Sequence, residues 1–353
     1  MMITRGFGGF QRLCTRLYGS SSTSTIPNLT RADVDFLTNP SEKYVDQFMK
    51  YHGNDRTVFK KEDIAQWQNS FDDYKFKVIC LRGSTRVIAM AHICKFQPIK
   101  PTENKPMTFM GFGWIAPEYR SHAVAQLQNQ ICMEEVKDEK KENLVSQINQ
   151  PGRKFWHVMC GLKEYEDIGH KTGDVGYNSF YDAEDVVIPE NLDTSGIYLR
   201  NAREVPKKDI ISYDQRIHPY HREKYIISHM YDRDGFAKVA YDEDGKVIGI
   251  GQAIIYKNKN DCNLGPIYAD EPRVAQAMLA EMLRDIKKSG KEVSQFEVRS
   301  GQLASNSFRW ITPFLKCKPT RVHVCNLVYK HWSPPNIDFS KVYSPTHAQL
   351  FSV

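Results

Sequence analysis

The 353-residue chain is predicted to fold as two mixed α/β (α+β) domains in tandem, each a mixed sheet carrying helices. Three observations lead there. The length leaves room for about two domains, each able to bury its own core. The composition, 41% hydrophobic, 12% aromatic and 25% charged, is that of a folded chain and excludes collagen-like, coiled-coil and low-complexity classes. One order of elements (hairpin, strand, helix, strand, helix, strand) is legible twice.

In the first copy, assigned to residues 31–195, apolar spacing predicts helices over 44–51 and 61–71. Strands over 76–81 and 85–95 flank the turn Arg82-Gly83-Ser84. A strand over 107–115 is closed by Ala116 and Pro117. A long helix over 121–142 follows, with Val124, Leu127, Ile131 and Val136 on its apolar side. Its charged end, 134–142, reads as a solvated face. The next strand is expected over 155–160, after the turn Gln150-Pro151-Gly152.

The second copy, assigned to 196–335, begins with a mainly helical stretch over 209–230, interrupted at Pro219. A hairpin over 236–241 and 246–256 turns at Asp242-Glu243-Asp244-Gly245. A strand over 263–268 precedes a helix over 272–289, whose apolar face is Val274, Ala277, Met278, Met282 and Ile286. A strand over 293–298, a helical stretch over 303–315 and a closing strand over 321–330 complete the copy. Residues 336–353 read as a tail.

The net charge is +6, but Arg5, Arg12, Arg16 and Arg31 lie before the first acid, Asp33. The rest of the chain is therefore nearly neutral, which argues against a nucleic-acid binder. On a helical wheel Ile3, Phe7, Phe10, Cys14 and Leu17 share one side and Arg5, Arg12 and Arg16 the other. A Ser/Thr run over 20–25 follows. Arg-rich, Ser-rich, acid-free and amphipathic, residues 1–30 read as a mitochondrial transit peptide, and Arg16-Leu17-Tyr18 before Gly19-Ser20 resembles a matrix-peptidase site. The expected location is the mitochondrial matrix; a disordered leader with accidental charge is the alternative. No apolar run approaches the roughly 20 residues that span a bilayer, so no membrane insertion is expected.

Eight cysteines form no CxxC pair and no zinc-like spacing, which points to reduced core thiols and no metal. The histidines His218, His221 and His229, near Asp214, match no common metal site and read as solvated in a surface-like helical stretch.

The run Phe109-Met110-Gly111-Phe112-Gly113-Trp114-Ile115-Ala116-Pro117-Glu118-Tyr119-Arg120-Ser121-His122-Ala123-Val124-Ala125 resembles the GNAT superfamily of acyl-CoA N-acyltransferases. In that superfamily a splayed strand leads into a loop whose backbone N–H groups face the CoA pyrophosphate from a helix N-terminus. The physics stands by itself, because first-turn amides lack intrahelical partners and the helix dipole favours an anion. The resemblance implies acyl-CoA contacts at Trp114, Ile115, Ala116, Arg120, Ser121, His122, Ala123, Val124 and Ala125. Ala123 departs from the family glycine, and its methyl group fits only if φ stays negative. Tyr165-Glu166-Asp167-Ile168-Gly169-His170 resembles the family's Tyr-x-x-x-Gly-Phe, which implies Tyr165 as the acid that protonates the departing CoA thiolate. His157 is the candidate general base; His92, Glu164 and Glu118 are further candidates.

Leu264-Gly265-Pro266-Ile267-Tyr268-Ala269-Asp270-Glu271-Pro272 resembles the second domain of two-domain acetyltransferase-like proteins, giving two tandem GNAT-like domains. Asp270, Glu271 and Pro272 put two carboxylates and a missing N–H where a pyrophosphate would lie, a poor anion site. The expected function is acyl transfer, most simply acetyl, from acyl-CoA bound to the first domain onto an amine of a small molecule or protein. The alternative is a degenerate GNAT scaffold that binds acyl-CoA or a protein partner without catalysis. The acceptor, the acyl length and the oligomeric state are open at this point.

Overall fold

The computed structural model describes residues 28–52, 61–136, 142–149, 163–164, 175–256, 260–301, 308–329 and 336–346. The expected leader up to residue 27 and the strand expected over 155–160 lie outside these residues.

The first half opens with β1 (Val34–Thr38), α1 (Glu42–His52) and α2 (Lys61–Ser70). β2 (Lys75–Leu81), β3 (Val87–Phe96) and β4 (Met107–Ile115) continue the antiparallel run from β1. α3 (His122–Met133) then crosses over, and β5 (Asn143–Asn149) returns parallel to β4. The helix thus ends at Met133, short of the expected 142, and β5 begins at Asn143, just past the expected end. In the described part of that tail Glu134 is exposed, as the solvated reading has it, but Glu135 is not. Glu135 pairs with both Lys75 and Lys77 of β2, and Lys77 is buried, so the helix end is clamped to the sheet.

β6 (Lys163–Glu164) and β7 (Val175–Asp182) end the first half of the sequence. The second half repeats the pattern with β8 (Tyr198–Asn201), α4 (Lys207–Ile217), α5 (Glu223–Ile227), β9 (Gly235–Tyr241), β10 (Val247–Tyr256) and β11 (Asp261–Ala269). α6 (Pro272–Ser289), β12 (Gln295–Ser300), β13 (Arg321–Tyr329) and β14 (Val342–Ser344) follow. The expected helix over 303–315 is replaced, in its described part, by two short 3-10 turns, Phe308–Trp310 and Thr312–Phe314. Pro313 explains this, since it removes a donor and clashes inside a helix.

All these strands join one sheet with the order β1-β2-β3-β4-β5-β13-β7-β12-β11-β10-β9-β8; β6 pairs with β13 and β14 with β11. From either end the path is the same: five strands in related order, then one strand borrowed from the other half of the sequence. β7 pairs with β12, and β13 pairs with β5. The expected cut between 31–195 and 196–335 is therefore crossed in both directions. Strands exchanged in this way tie each half's folding to the other's.

The core follows the same logic. α6 buries Val274, Met278, Met282 and Ile286 as its spacing predicts. They lie close over β10 because a Cβ at Gly249 would stand 2.9 Å from Met278 and Val274. α3 buries Val124, Leu127 and Ile131 against β3 and β4. One apolar cluster runs from Phe48 and Trp67 in the first half to Ile210, Tyr225 and Ile226 in the second. Phe71 and Tyr225 meet across it with ring centroids 5.0 Å apart. The halves share a core.

Candidate functional site

β4 is held to β3 along its length, with Met90 opposite Trp114 and His92 opposite Gly111. β4 therefore carries one residue more than β3 between these rungs, a β-bulge that bends the strand. On its other edge β4 pairs with β5 only from Met107↔Asn143 to Met110↔Ser146. β5 then continues against β13, from Val145↔Tyr329 to Asn149↔Cys325. The two parallel strands diverge, and among the described residues no strand pairs with Gly111–Ile115 on that edge. Backbone groups in such a cleft require partners from elsewhere.

Two polar side chains hold the opening. Ser146 Oγ donates to the Met110 carbonyl at 2.8 Å, closing the last rung before the strands part. Gln128, buried on α3, donates through Nε2 to the carbonyls of Met90 (2.5 Å) and Trp114 (3.1 Å). Sequence reasoning missed both. The available signal was a glutamine beside the apolar stripe of a helix, a position that demands a hydrogen-bond partner.

The chain next makes the short turn Pro117–Tyr119 and enters α3. Ala116 N–H donates to Ile88 O at 2.8 Å, and Arg120 Nε donates back to Ile115 O at 3.1 Å. Ser121 is the N-cap; its Oγ accepts the Val124 N–H at 3.2 Å, and its carbonyl takes the first helical bond, from Ala125, at 3.1 Å. The N–H groups of His122 and Ala123 belong to the first turn, which has no intrahelical acceptor for them. Trp114, Ile115, Ala116, Arg120, Ser121, His122, Ala123, Val124 and Ala125 thus form one continuous strand-end, turn and helix start, as expected. Ala123 lies within α3, where φ is negative, so its methyl group needs no left-handed backbone. The helix start is suited to an anion.

Tyr165 and His157 lie outside the described residues, as does His170. His92 is buried on β3 beside Gly111, edge-on to Trp67, with Nδ1 3.1 Å from the Tyr74 hydroxyl. Burial pushes the Tyr74 phenol well above its ordinary value. Tyr74 is accordingly assigned as the donor, which places the imidazole proton of neutral His92 on Nε2. Glu118 is exposed and pairs with Arg86 at 2.9 Å. Partial burial raises its carboxyl, but the bonds from its own backbone N–H and from Arg86 hold it below the usual range. Glu164, in β6, lies on β13 opposite Val328.

The second half has the same divergence. β11 pairs with β12 from Asp261↔Gln295 to Leu264↔Val298, and β10 and β11 carry the matching bulge between Gly251 and Ala253. Here the opening is filled. β14 pairs with β11 in it, Ile267 opposite Ser344 and Tyr268 opposite Val342. Ser344 Oγ donates to Leu264 O at 2.5 Å, and Arg299 Nη1 donates to Thr346 O at 2.7 Å. The expected tail 336–353 is therefore corrected in part, since residues 342–346 are built into the sheet and its edge. At the α6 N-terminus Asp270 pairs with Lys341 at 3.2 Å and Glu271 with Arg273 at 2.8 Å. The carboxylates attract cations from the protein itself, which agrees with the poor anion site expected there.

The histidine stretch needs a second correction. His218 and His229 are fully buried, not solvated; of the three only His221 is exposed, at 3.1 Å from Glu223. Burial, then the neighbouring Arg222, pulls His218 well below its ordinary value; burial, then Arg233, does the same to His229. Asp214 binds Arg222 through two bonds of 2.8 and 2.5 Å. α4 ends at Ile217, two residues before Pro219, and His229 lies in a separate π-helical turn, Ser228–Asp232, so the faces of one helix over 209–230 do not describe these side chains.

A family model described as Protein of unknown function (DUF1248) matches residues 31–217, and one described as Acetyltransferase (GNAT) domain matches residues 210–294. No curated protein matches the chain in sequence. Among solved structures, a tandem GNAT protein from the clavulanic acid biosynthesis pathway superposes with a TM-score of 0.59 at 12% identity, over 86% of this chain and 100% of that one. N-myristoyltransferase of Saccharomyces cerevisiae gives 0.58 at 11% identity, over 92% and 88%. A GCN5-related N-acetyltransferase from Sphaerobacter thermophilus gives 0.53 at 14% identity, over 87% and 98%. At such identities the likeness is one of fold, and it covers both halves.

Proposed function

We propose, from the premise that this chain belongs to the DUF1248 family and carries the GNAT fold in both halves, that it moves an acyl group from acyl-CoA to an amine and holds acyl-CoA in the first half alone. The observation behind this reading is the contrast between two equivalent clefts. Beside β4 the described chain leaves the edge unpaired and offers first-turn amides and Arg120; beside β11 the cleft is filled by β14 and lined by Asp270 and Glu271. Acetyl is the simplest acyl group, and the mitochondrial matrix is the proposed location, resting on the amphipathic, acid-free leader.

The thioester is already activated, so no covalent enzyme intermediate is required. The acceptor nitrogen, once deprotonated, attacks the carbonyl carbon; the C–S bond breaks and the CoA thiolate takes a proton. Tyr165 is assigned that proton transfer, since a phenol of pKa about 10 matches a thiolate of pKa about 8.5 when both are desolvated. His157 is the proposed base. The pyrophosphate rests on the start of α3 over Arg120 to Ala125, and the acyl group beside Gly113 to Ala116.

Isothermal titration with acetyl-CoA tests the reading and is expected to give one site per chain. A second site, or no binding at millimolar ligand, sinks it. Arg120→Glu is expected to weaken CoA binding about tenfold or more, by reversing a charge next to the pyrophosphate. Tyr165→Phe is expected to lower kcat by about 100-fold while KM for acyl-CoA stays within a factor of a few. Unchanged kcat removes the role given to Tyr165. Binding of CoA without thiol release across an amine panel leaves the non-catalytic scaffold as the correct reading.

A further inference from the structure

Strand register aligns the two halves residue by residue. Ala89↔Ile115 corresponds to Gly249↔Ala269, Met90↔Trp114 to Ile250↔Tyr268, and Cys94↔Phe109 to Ile254↔Asn263. In the parallel pairs, Phe109↔Val145 corresponds to Asn263↔Glu297. His92 of the first half therefore has Gln252 as its counterpart, Phe109 has Asn263, and Val145 has Glu297. On the sheet face away from α3, the first half presents His92 against Trp67 and Tyr74, in a largely apolar setting. On the corresponding face away from α6, the second half presents a polar row. Gly249 and Gly251 face α6, so Gln252 points to the other side, where its Nε2 stands 2.9 Å from the position of a Cβ at Gly235.

Gln252 is completely buried and Asn263 is 2% exposed, and among the described residues none of their four amide nitrogen and oxygen atoms has a hydrogen-bond partner. Buried amides are ordinarily satisfied, because an unpaired one forfeits its hydration with nothing in return. Two adjacent in one row, diagonal neighbours across β10 and β11, point to a molecule that satisfies both. The surrounding charges limit its character. Glu297 pairs with Arg299 at 3.3 Å, and Asp63, reaching over from α2, pairs with Arg233 at 2.5 Å. Each buried cation here has its carboxylate, so the region offers a ligand no net charge to neutralise. What it does offer is donors and acceptors side by side.

We propose that the inner face of the second half, centred on Gln252 and Asn263 beside the Glu297–Arg299 pair, binds a small neutral molecule through its hydroxyl or carboxamide groups. A hydroxyl or a carboxamide both donates and accepts, and so pairs with an amide side chain in either orientation. A polyamine or a polycarboxylate would bring unmatched charge into a buried, balanced site. The site stands whether or not the first half transfers acyl groups, and its test reads binding rather than turnover.

Saturation-transfer NMR on the full chain, with glucose, propionamide, spermidine and citrate each at millimolar concentration, is the experiment. Glucose or propionamide is expected to bind, and spermidine and citrate are not. Gln252→Met and Asn263→Leu are each expected to weaken the retained probe about tenfold and to leave acetyl-CoA titration unchanged. Because both substitutions delete an unpaired amide while keeping the length of its side chain (and, for Asn263→Leu, its branching), the ligand-free variants are expected to melt near or above the parent temperature. The proposal is overturned if neither neutral probe binds, if a charged probe binds instead, or if both variants bind the probe as the parent does. Variants that melt well below the parent while binding normally would show amides satisfied by internal water, and that result also overturns it.

Discussion

Ending the chain after Asn336 is expected to destabilise the protein by about 5–8 kcal/mol, an amount comparable to the whole stability of an ordinary domain. The deletion removes β14 from the opening beside β11. Val342 and Tyr343 are buried there, and exposing the apolar surface they cover and contribute costs about 1.5–3 kcal/mol each. The bond from Ser344 Oγ to Leu264 O goes as well, at about 1 kcal/mol. Arg299, buried beside Glu297, loses the Thr346 carbonyl it donates to, and a buried cation short of acceptors is costly. A milder perturbation separates loss of docking from loss of chain. A Cβ at Gly265 would collide with the Pro345 carbonyl oxygen, a backbone atom that cannot swing away, so Gly265→Ala should loosen the same segment with the chain intact. Urea unfolding of both variants is the measurement. A truncated chain within about 1 kcal/mol of the parent would mean that β14 merely rests on the sheet.

That segment also marks where sequence reasoning stopped. The core elements with strong local signals were legible: the hairpins β2–β3 and β9–β10 around their turns, and the 3.6-residue stripe of α6. So was the strand-turn-helix from Trp114 to Ala125, because capping and turn chemistry are local and Ser121 carries them in its own side chain. Strand exchange was not legible. β13 was expected as a strand but β7 was not, and nothing within Val175–Asp182 states that its partner is Gln295–Ser300 rather than a neighbour. β14 is three residues long, too short for any periodicity, and its burial is dictated by a cleft that only the fold creates. The same holds for Gln252 and Asn263. They read as polar interruptions of apolar strands, and only register shows that they are neighbours. His218 and His229 failed for a different reason, since polar neighbours made the stretch look like surface, whereas the fold packs it under the sheet with its charges paired.

Those two histidines carry a second large effect. Lowering the pH from 7 to 5 is expected to cost about 4 kcal/mol of stability from His218 and His229 together. Both are fully buried, and burial, aided by Arg222 and Arg233, holds both well below the ordinary histidine value, so they stay neutral in the folded protein. In the unfolded chain they take up protons near pH 6.5. Below that value the unfolded state binds more protons than the folded one, so stability falls as pH falls and is fully present only above about pH 7. Each group contributes about 1.4 kcal/mol per pH unit once the pH is well below 6.5. Urea unfolding across this range measures the slope, and His218→Gln and His229→Gln should each remove about half of it. A double variant that keeps the parent slope would assign the effect to carboxylates instead. The charges facing these rings say why it should not. Arg222, Arg233 and Arg299 all act to lower His229, and each keeps its own carboxylate, Asp214, Asp63 or Glu297, close by. A proton on His229 would add a cation beside Arg222, Arg233 and Arg299, whose charges are already matched by their own carboxylates, so the folded state is destabilised by that charge.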